Sequence, residues 1–510
     1  MAKKKPKPPA AQPAEQSGVN ISGSRLSIGG DLVGRDKITG KIVVHVGTLI
    51  VPAAPLIVAA ALAVAALVAV VFITRPATPV GPARMPGAFN VAVADFGQVG
   101  ADGRVQPSED GRLLSQWVFE SIEAQKDAFP DANVKSVIAI WHDSLPASEK
   151  GTTLGAVATI TEAEQLAGRI GADLVIYGAL DVAGSFNPEF YISPRLRGEI
   201  DAATGRHRLG ADPIRVDPNA RLGVSADLTA RTSGLFWLMM GLTYDLFGRS
   251  QQALDVFRQA ETELDNWQGR GEGKEILYFF KGRAALFLSQ QQSDPQDAIE
   301  LEQEAQGDLE TALRINPEYA RAHIGLGSLY FLRAQRTPPE NRLDAPELAQ
   351  AMAEYETALS LASQSPAEIE ILATLALGIA YRSEGEAYLH AEQYTEADRV
   401  YDKAIEEINT TLNHLAGTEQ FRLVGQAYLA LGTAYAQKAD VARAQGDTAR
   451  TLTLYEEARR AYANCIAQQD RAREAGAGDD QVLNQTVIAD KCVPYDRIAE
   501  DALNALGGGP

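Results

Sequence analysis

The chain contains few of the residues from which enzymes and metal sites are usually built. Its 510 residues include two cysteines and six histidines, and the histidines are scattered along the sequence. No H-E-x-x-H motif and no paired Cys/His spacing occurs, so the sequence has no zinc-site signature. A G-x-S-x-G nucleophile motif and a G-x-x-x-x-G-K-[ST] phosphate loop are absent as well. We therefore predict a protein that is not an enzyme and needs no cofactor or metal ion.

Positive charge is scarce outside the N-terminal part of the chain. Residues 1–84 hold ten Lys/Arg and three acidic residues, a charge of +7. The whole chain carries −19, so the remainder carries −26. Binding to phosphate backbones requires a basic surface, and this balance therefore argues against a nucleic-acid partner. The acidity of the body is explained equally well by solubility.

The two cysteines leave two interpretations open. Cys465 and Cys492 lie near the C-terminus, 27 residues apart. A disulfide between them would join the last helices of the chain to a closing helix at about Val493–Leu506, and it would require an oxidising compartment. Two unpaired buried thiols are the alternative.

Long apolar runs are rare, with one exception. Leu56–Ile73 contains eighteen residues without a polar side chain, and Leu49–Pro55 extends the run to 25. About 20 apolar residues span a bilayer as a helix, so we predict a transmembrane helix over 49–74. A buried soluble helix and a signal peptide are the alternatives. Eight Lys/Arg precede the run and two follow closely. This predicts a single-pass cell-membrane protein with a cytoplasmic N-terminus and an extracytoplasmic body.

Two short segments precede the predicted span. Residues 1–18 are rich in Lys, Pro, Ala and Gln and are predicted to be disordered. Residues 19–48 alternate short apolar runs with Gly, Asp and Ser, which predicts small strands and tight turns. Within them, GGDLVGRDKI (Gly29–Ile38) resembles a motif found at the starts of bacterial signalling and conflict proteins. The resemblance implies an assembly element and a possible homo-oligomer; a membrane-proximal linker is the alternative.

An internal repeat is the most informative pattern in the chain. The best copy places its signature residues at Trp237, Met240, Gly241, Tyr244, Ala253, Phe257 and Ala260. Gly and Ala stand twelve residues apart, and the spacing resembles the tetratricopeptide repeat (TPR), a helix–turn–helix of about 34 residues. Small residues allow the two helices to approach closely, and the aromatic residue fills the space between them.

Four further copies resemble the same family. Their signature positions are Gly282 with Ala305, Leu309, Ala312 and Pro317; His323, Leu326, Gly327 and Tyr330 with Ala351, Tyr355 and Ala358; Leu377, Gly378 and Tyr381 with Ala397, Tyr401 and Ala404; and Tyr428, Leu431, Gly432 and Tyr435 with Thr451, Tyr455 and Ala458. The separations from Gly to Ala or Thr are 23, 24, 19 and 19 residues. We predict loops at Gln290–Gln296 and Thr337–Pro346, and longer helices in the last two copies.

The resemblance implies an α-solenoid of five TPR-like repeats over 231–475, followed by a C-terminal capping helix and tail over 476–510. An unrelated amphipathic helical bundle is the alternative. Solenoids present extended concave surfaces, and in this family the first helix of each repeat lines the groove. We therefore expect a protein or peptide partner near Trp237–Tyr244, His323–Tyr330 and Ala427–Tyr435.

A smaller α/β domain is predicted over 88–220, after a Pro/Gly-rich linker at 75–87. The sequence predicts strands at Phe89–Phe96, Val134–Ile140, Asp173–Leu180 and Glu189–Arg197, and helices at Gly111–Gln125 and Thr161–Ile170. Thr161 and Glu164 have the spacing of a capping box. The alternation of strands and helices predicts a mainly parallel sheet. Two segments, VAVADF (Val91–Phe96) and AGRIGADLVIYGAL (Ala167–Leu180), together resemble the amino-terminal domain of TolB-like proteins. That resemblance implies a non-catalytic module of envelope or regulatory proteins.

Two functions follow from these patterns. The first is a membrane-anchored scaffold for protein–protein interaction. The second is a signalling receptor whose α/β domain senses a small ligand and relays its binding through the span. For the second, Asp95, Asp173 and Asp181 could gather at the carboxyl edge of the sheet, where open α/β sheets bind ligands. Ordinary strand-end and turn roles explain the three aspartates equally well.

Overall fold

The folded body consists of an α/β domain followed by paired helices. The structure is a computed structural model, and it describes residues 83–186, 188–193, 203–208, 213–215, 226–264, 273–362, 367–475 and 482–507. The segments predicted at 1–18, at 19–48 and as a membrane span at 49–74 lie outside the described residues. Within the described ranges, no helix combines the length and the apolar character needed to cross a bilayer.

The α/β domain is built on two five-stranded sheets. In chain order the strands are β1 (Phe89–Val93), β2 (Gly97–Val99), β3 (Val105–Pro107), β4 (Ile138–Trp141), β5 (Leu174–Tyr177), β6 (Ala179–Leu180), β7 (Ser185–Phe186), β8 (Glu189–Ile192), β9 (Gly205–Arg208) and β10 (Ile214–Arg215). The first sheet has the order β4-β1-β5-β8-β9 and the second β10-β7-β6-β2-β3. The first sheet is therefore mixed: β4, β1 and β5 pair in parallel, whereas β8 pairs antiparallel with both β5 and β9. The prediction of a mainly parallel sheet holds only for its first three strands.

Four helices accompany these strands. They are α1 (Glu109–Ala128), α2 (Ala132–Val137), α3 (Ala147–Lys150) and α4 (Ile160–Ile170). The predicted strand at Val134–Ile140 is wrong in its first half, which is helix α2. Asp131 accounts for the difference, because its side chain accepts the backbone N–H groups of Asn133 and Val134 and starts a helix there. The capping box of α4 uses Thr159 and Glu162 rather than the predicted Thr161 and Glu164.

The next ten helices form five antiparallel hairpins. Hairpin 1 is α5 (Ala226–Leu246) and α6 (Ser250–Leu264), hairpin 2 is α7 (Glu275–Gln291) and α8 (Pro295–Ile315), hairpin 3 is α9 (Ala320–Arg336) and α10 (Pro346–Leu361), hairpin 4 is α11 (Ala367–His390) and α12 (Tyr394–His414), and hairpin 5 is α13 (Phe421–Ala444) and α14 (Thr448–Ile466). Consecutive hairpins pack side by side, which is the arrangement of a TPR-like helical solenoid.

The predicted loops have different outcomes. Residues 290–296 are mostly helical, because α7 extends to Gln291 and α8 begins at Pro295 after an N-cap at Asp294. The predicted loop is therefore present only at residues 292–294, and its other residues belong to the two helices. At Thr337–Pro346 the chain forms a connection that contains one 3-10 turn, Pro339–Asn341.

The C-terminal residues close the last hairpin. After α15 (Gln468–Glu474), a π-helical segment (Val482–Cys492) runs directly into α16 (Val493–Ala505). The π-helical segment packs on α13, and α16 packs on α14. A disulfide joins Cys465 at the end of α14 to Cys492.

One hydrophobic core connects the α/β domain to the first hairpins. Alternate residues of β1 face opposite sides of the sheet, as strand geometry requires. Phe89 and Val91 belong to a cluster that continues through Phe236 of α5 to Leu329 of α9. Ala92 and its neighbours pack on the other side in a separate cluster with α4. The α/β domain therefore covers the first end of the solenoid.

Candidate protein-interaction surface

Glycines mark the points where the two helices of a hairpin cross most closely. A Cβ atom on Gly241 would stand 2.3 Å from the Phe257 ring, and one on Gly327 would stand 2.5 Å from the Tyr355 ring. Both distances are too short for any side chain, so the aromatic ring occupies the space that glycine leaves. In hairpin 1, Ala253 and Ala260 are completely buried beside this contact.

Hairpins 4 and 5 use a different register from the predicted one. Tyr401 lies against Gly385, not against the predicted Gly378, whose nearest contact is Ile408. Gly432 lies against Tyr462 and not against the predicted Tyr455. The reason is geometric. In an antiparallel hairpin, two contacting residues lie at equal distances from the turn, so a contact one helical turn earlier on the first helix falls one helical turn later on the second.

This geometry reveals signature residues that the sequence reading missed. Gly385 is separated from Ala397 by twelve residues, the same spacing as Gly241 and Ala253 in hairpin 1. In hairpin 5, Ala439 stands twelve residues before Thr451 and is fully buried. The twelve-residue spacing alone could have found Gly385, whereas Ala439 would have been found only if alanine had been allowed in the glycine position.

The other predicted signature positions lie within the hairpins. Tyr330, Tyr381 and Tyr435 are half-buried on the first helices of hairpins 3, 4 and 5. The Lys403 ammonium stands 5.1 Å from the centre of the Tyr381 ring, so this tyrosine faces the second helix of its own hairpin. All three tyrosines pack against the hydrophobic clusters of the hairpins.

The groove predicted near Trp237–Tyr244 is not open. Phe129 of the α/β domain stands 6.0 Å, ring to ring, from Trp237, and the Tyr244 hydroxyl donates a 2.9 Å hydrogen bond to Asp131. The prediction is wrong because the sequence cannot reveal that the α/β domain packs on this helix. Helix α7 of hairpin 2 is likewise covered, with only Tyr278 and Phe287 half-exposed between Glu275 and Ser289.

The first helices of hairpins 3, 4 and 5 retain a partly exposed surface. They lie side by side: the Gln335 amide of α9 donates to Ser383 of α11 at 2.7 Å, and Arg382 of α11 donates to Gln437 of α13 at 3.2 Å. Because the α/β domain and hairpins 1 and 2 cover one another, this surface lies on the later hairpins.

One face of α11 forms a stripe at the middle of this surface. Its members are spaced four and three residues apart: Leu372, Ala376, Ile379, Ser383 and Glu386. All are half-exposed except Ser383, which is buried. We call this set the α11 stripe. Its first three members are apolar, and it lies away from the face of Gly378 and Gly385, which contacts α12.

The charged end of the α11 stripe is already occupied. Arg342, from the connection between α9 and α10, donates to Glu386 at 2.7 Å and to Ser383 at 2.9 Å. The Arg342 side chain is 4% exposed and that of Glu386 26% exposed. This ion pair is therefore largely shielded from water.

A histidine links the two helices of hairpin 3. His323 Nδ1 lies 2.7 Å from the Glu354 carboxylate, and Nε2 lies 3.3 Å from the Pro317 carbonyl. Burial opposes the charged ring, but the hydrogen bonds and the charge of Glu354 outweigh it and raise the pKa of His323 above its ordinary value of 6.5. His323 is therefore a structural residue at the edge of the predicted groove face.

The three aspartates proposed for a small-ligand site do not come together. Asp95 follows β1, but Asp173 precedes β5 and accepts the backbone N–H of Asn90 at the opposite edge of the sheet. Asp181 accepts the N–H groups of Ala183 and Ser185 in a tight turn. Asp173 and Asp181 thus have the strand-end and turn roles that the alternative interpretation described.

The crevice at the carboxyl edge of the sheet is filled by the chain itself. Residues 155–157 lie between the ends of β1 and β5: the N–H of Asp95 donates to Gly155, and that of Val157 donates to Asp95. The N–H of Gly178 then donates to the Val157 carbonyl. This is the position in which open α/β sheets bind ligands, and here backbone hydrogen bonds occupy it.

Asp95 instead belongs to a buried polar network. His142 Nδ1 accepts the N–H of Ser144, so the proton of the neutral ring is on Nε2. Nε2 then faces Ser115 Oγ at 3.1 Å and Asp95 Oδ1 at 3.2 Å. A protonated Nε2 cannot accept a proton from Ser115, and this arrangement does not activate a nucleophile. Among the described residues, no group of His, Cys, Asp and Glu could hold a metal ion.

Comparisons with known proteins add little to this geometry. No family model matches the chain, and no curated protein matches it in sequence. Among solved structures, TTC0263, a thermophilic TPR protein from Thermus thermophilus, is 17% identical, with 48% of this chain and 98% of that chain covered and a TM-score of 0.26. The apo form of RapI is 14% identical over 55% of this chain and 65% of that chain, with a TM-score of 0.32. Yeast Tom70 is 16% identical over 58% of this chain and 72% of that chain, with a TM-score of 0.17.

At these identities and TM-scores the class of the protein rests on its own hairpins. They define a TPR-like helical solenoid that is joined through a common core to a small mixed α/β domain. The TolB-like resemblance finds no support in the comparisons.

Proposed function

We propose that this chain is a non-catalytic scaffold that holds a protein or peptide partner on the first helices of hairpins 3–5. The observation that supports it is the α11 stripe, whose apolar residues Leu372, Ala376 and Ile379 are half-exposed on the first helix of hairpin 4. A helical solenoid builds extended surfaces of this kind by stacking its units. The α/β domain covers the other end, so it serves the solenoid as a cap.

The proposal includes a membrane anchor at 49–74, with the N-terminus in the cytoplasm and the body outside it. Two observations support this placement. The apolar run 56–73 has the length that a bilayer requires. The Cys465–Cys492 disulfide fits an oxidising compartment. The assembly role of Gly29–Ile38 and homo-oligomerisation through it remain predictions, which deletion of 19–47 and a measurement of oligomeric state would test.

Site-specific cross-linking tests the partner surface. A photo-reactive amino acid at Ile379, on the α11 stripe, should give covalent products with a partner protein in intact membranes. The matched control is Glu300, an exposed position on the second helix of hairpin 2, which should give none. Equal yields from the two positions, or none from Ile379, would contradict the proposal.

Protease protection tests the topology. Protease added outside intact cells should digest the hairpins, and it should digest the N-terminal residues only after the membrane is opened. Complete protection of the hairpins from outside would mean that the orientation is reversed or that the anchor is absent. Extraction of the chain from membranes by detergent, but not by high salt, would distinguish an anchored from a peripheral protein.

A further inference from the structure

The connection between the helices of hairpin 3 is held to its neighbour by one buried side chain. In residues 337–345, Arg342 is 3% exposed, and all the others are half-exposed or exposed. The connection packs on α11 of the following hairpin, and not only on its own helices. Its placement over the α11 stripe therefore depends on Arg342.

Arg342 lies in a site that is built for a guanidinium group. Its Nη1 donates to Glu386 Oε2 at 2.7 Å and to Ser383 Oγ at 2.9 Å, and its Nη2 donates to the Thr337 carbonyl at 3.3 Å. The Gln335 amide donates to the same serine and fixes its hydroxyl. Two of these acceptors are on α11 and the third is in the connection itself, so the packing of hairpin 3 on hairpin 4 arranges the site.

The fit of Arg342 is incomplete. Its Nε is buried and has no hydrogen-bond acceptor within the described structure. A buried N–H group without an acceptor is unfavourable, so the present contact is weaker than a fully paired guanidinium would be. An incoming cationic side chain that enters from another direction could satisfy the same carboxylate without this penalty.

We propose that Glu386 and Ser383 form a recognition site for an arginine of the partner peptide, and that Arg342 is an internal competitor which occupies the site when no partner is bound. The inference rests on the proposed function and specifies the chemistry of its surface. One turn away on the same stripe stands the apolar Ile379, followed by Ala376 and Leu372. The partner segment should therefore carry an arginine next to apolar side chains. The charge of −26 on residues 85–510 favours the approach of such a basic segment.

Binding of a defined probe to the full-length chain in detergent tests this proposal. The probe is a short fluorescent peptide of leucine and alanine with one central arginine, and its comparison peptide carries uncharged citrulline instead. Arg342→Ala should bind the arginine peptide about tenfold more tightly than the wild type, because the competitor is gone. Asn341→Ala, an exposed neighbour in the same connection, should bind like the wild type.

Two further results decide the case. Glu386→Gln in the Arg342→Ala background should remove the gain, and the citrulline peptide should bind Arg342→Ala about tenfold more weakly than the arginine peptide. Equal binding of the two peptides, or no gain from Arg342→Ala, would overturn the proposal and leave Arg342 as a permanent tie between hairpins 3 and 4.

A measurement on the wild type keeps the test independent of the folding of the variants. Saturating arginine peptide should increase amide hydrogen exchange in residues 337–345 as Arg342 is displaced, and the citrulline peptide should not. Unchanged exchange at saturation would contradict displacement.

If no partner cross-links at Ile379 but the arginine peptide still binds, the proposed function fails and this site stands. If a partner cross-links at Ile379 but binds Glu386→Gln as tightly as the wild type, the proposed function stands and the arginine site fails.

Discussion

Single glycines decide how closely the paired helices approach. Gly241 and Gly327 each face an aromatic ring at a distance that leaves no room for a Cβ atom. Gly307, on the second helix of hairpin 2, has no atom within 4 Å of the position of a Cβ. The same residue type therefore has opposite effects in helices of one solenoid: it permits close packing at a crossing and only weakens the helix elsewhere.

Gly241→Ala should destabilise the protein by about 1–3 kcal/mol, since Phe257 must leave a fully packed position. Gly307→Ala is the matched control, and it should stabilise the protein by roughly 0.5–1 kcal/mol because alanine is the better helix former. Thermal and urea unfolding of the two variants measure both changes. Shifts in the same direction would mean that the close approach at Gly241 does not exist in solution.

His323 should make the stability of the protein depend on pH. Its pKa is raised in the folded state, so the Glu354 contact stabilises the fold fully below the ordinary pKa of 6.5. This contribution is lost as the pH rises through the raised pKa of the folded state. The destabilisation caused by His323→Gln should therefore be larger at about pH 5.5 than at about pH 8, by up to roughly 1 kcal/mol.

Glu354→Gln provides the control for this pair. In that background, the extra destabilisation by His323→Gln at about pH 5.5 should be absent, because the hydrogen bond and the charge of Glu354 are gone while burial, which lowers the pKa of His323, remains. Unfolding midpoints of the four proteins at the two pH values complete the measurement. A destabilisation that grows towards high pH would contradict the assignment.

At the scale of helices and strands, sequence patterns predicted elements well where the signal was local. The hairpins could be predicted, because the small and aromatic residues of a TPR-like unit recur at fixed spacings. The start of α2 could not, because Val134–Ile140 is apolar enough for a strand and Asp131 alone turns its first half into a helix. The sequence pattern grouped Tyr401 with Gly378, whereas in the structure Tyr401 contacts Gly385. The motif gives the residue types but not the helix lengths, and the helix lengths decide which residues face each other.

The candidate surface was predictable only in part. The sequence predicted that the first helices of hairpins 1, 3 and 5 line it. The prediction is wrong for hairpin 1, because Phe129 of the α/β domain packs on α5 and no residue of α5 indicates this contact. Arg342 gave no sequence signal either. It lies in a predicted loop, and its partners Ser383 and Glu386 are more than forty residues away.

The closing segment should depend on its disulfide. A link between residues 27 apart restricts the unfolded chain, and the chain-entropy relation predicts a stabilisation of about 3.5 kcal/mol at 25 °C. Both cysteines are fully buried. Cys465→Ala combined with Cys492→Ala should therefore increase amide exchange across Val482–Ala505 far more than in hairpins 1 and 2. Exchange that rises equally everywhere, or not at all, would show that the disulfide does not hold this segment locally.

At the scale of the whole molecule, the α/β domain and the solenoid are not independent units. Phe129 packs on Phe236, Trp237 and Tyr244, and the His207 ring stands 5.9 Å from that of Phe280. Arg321 of α9, almost completely buried, donates to the Thr204 carbonyl. These contacts continue one core from the sheet into the third hairpin, so most of α5 at the first end of the solenoid is buried.

Phe129→Ala should accordingly loosen hairpin 1, although the substitution lies in the other domain. The lost burial and the cavity should cost about 3–5 kcal/mol. Amide exchange in Ala226–Leu246 should rise together with that in the α/β domain. Tyr455→Ala in hairpin 5 is the matched control, which should leave exchange in Ala226–Leu246 unchanged. If Phe129→Ala affected only residues before 226, the two parts would be separate folding units.

The double contact in hairpin 4 limits how such a chain can change in length. In hairpin 4, Gly385 lies against Tyr401, and Gly378, seven residues earlier, lies against Ile408, seven residues later. A deletion of seven residues from one helix alone would leave one of the two glycines without its contact on the other helix. Insertions and deletions that keep the crossings must therefore occur as paired heptads, fourteen residues in all, one on each side of the turn. Natural variants of this solenoid should differ in hairpin length by that unit, while the connections tolerate changes of any size.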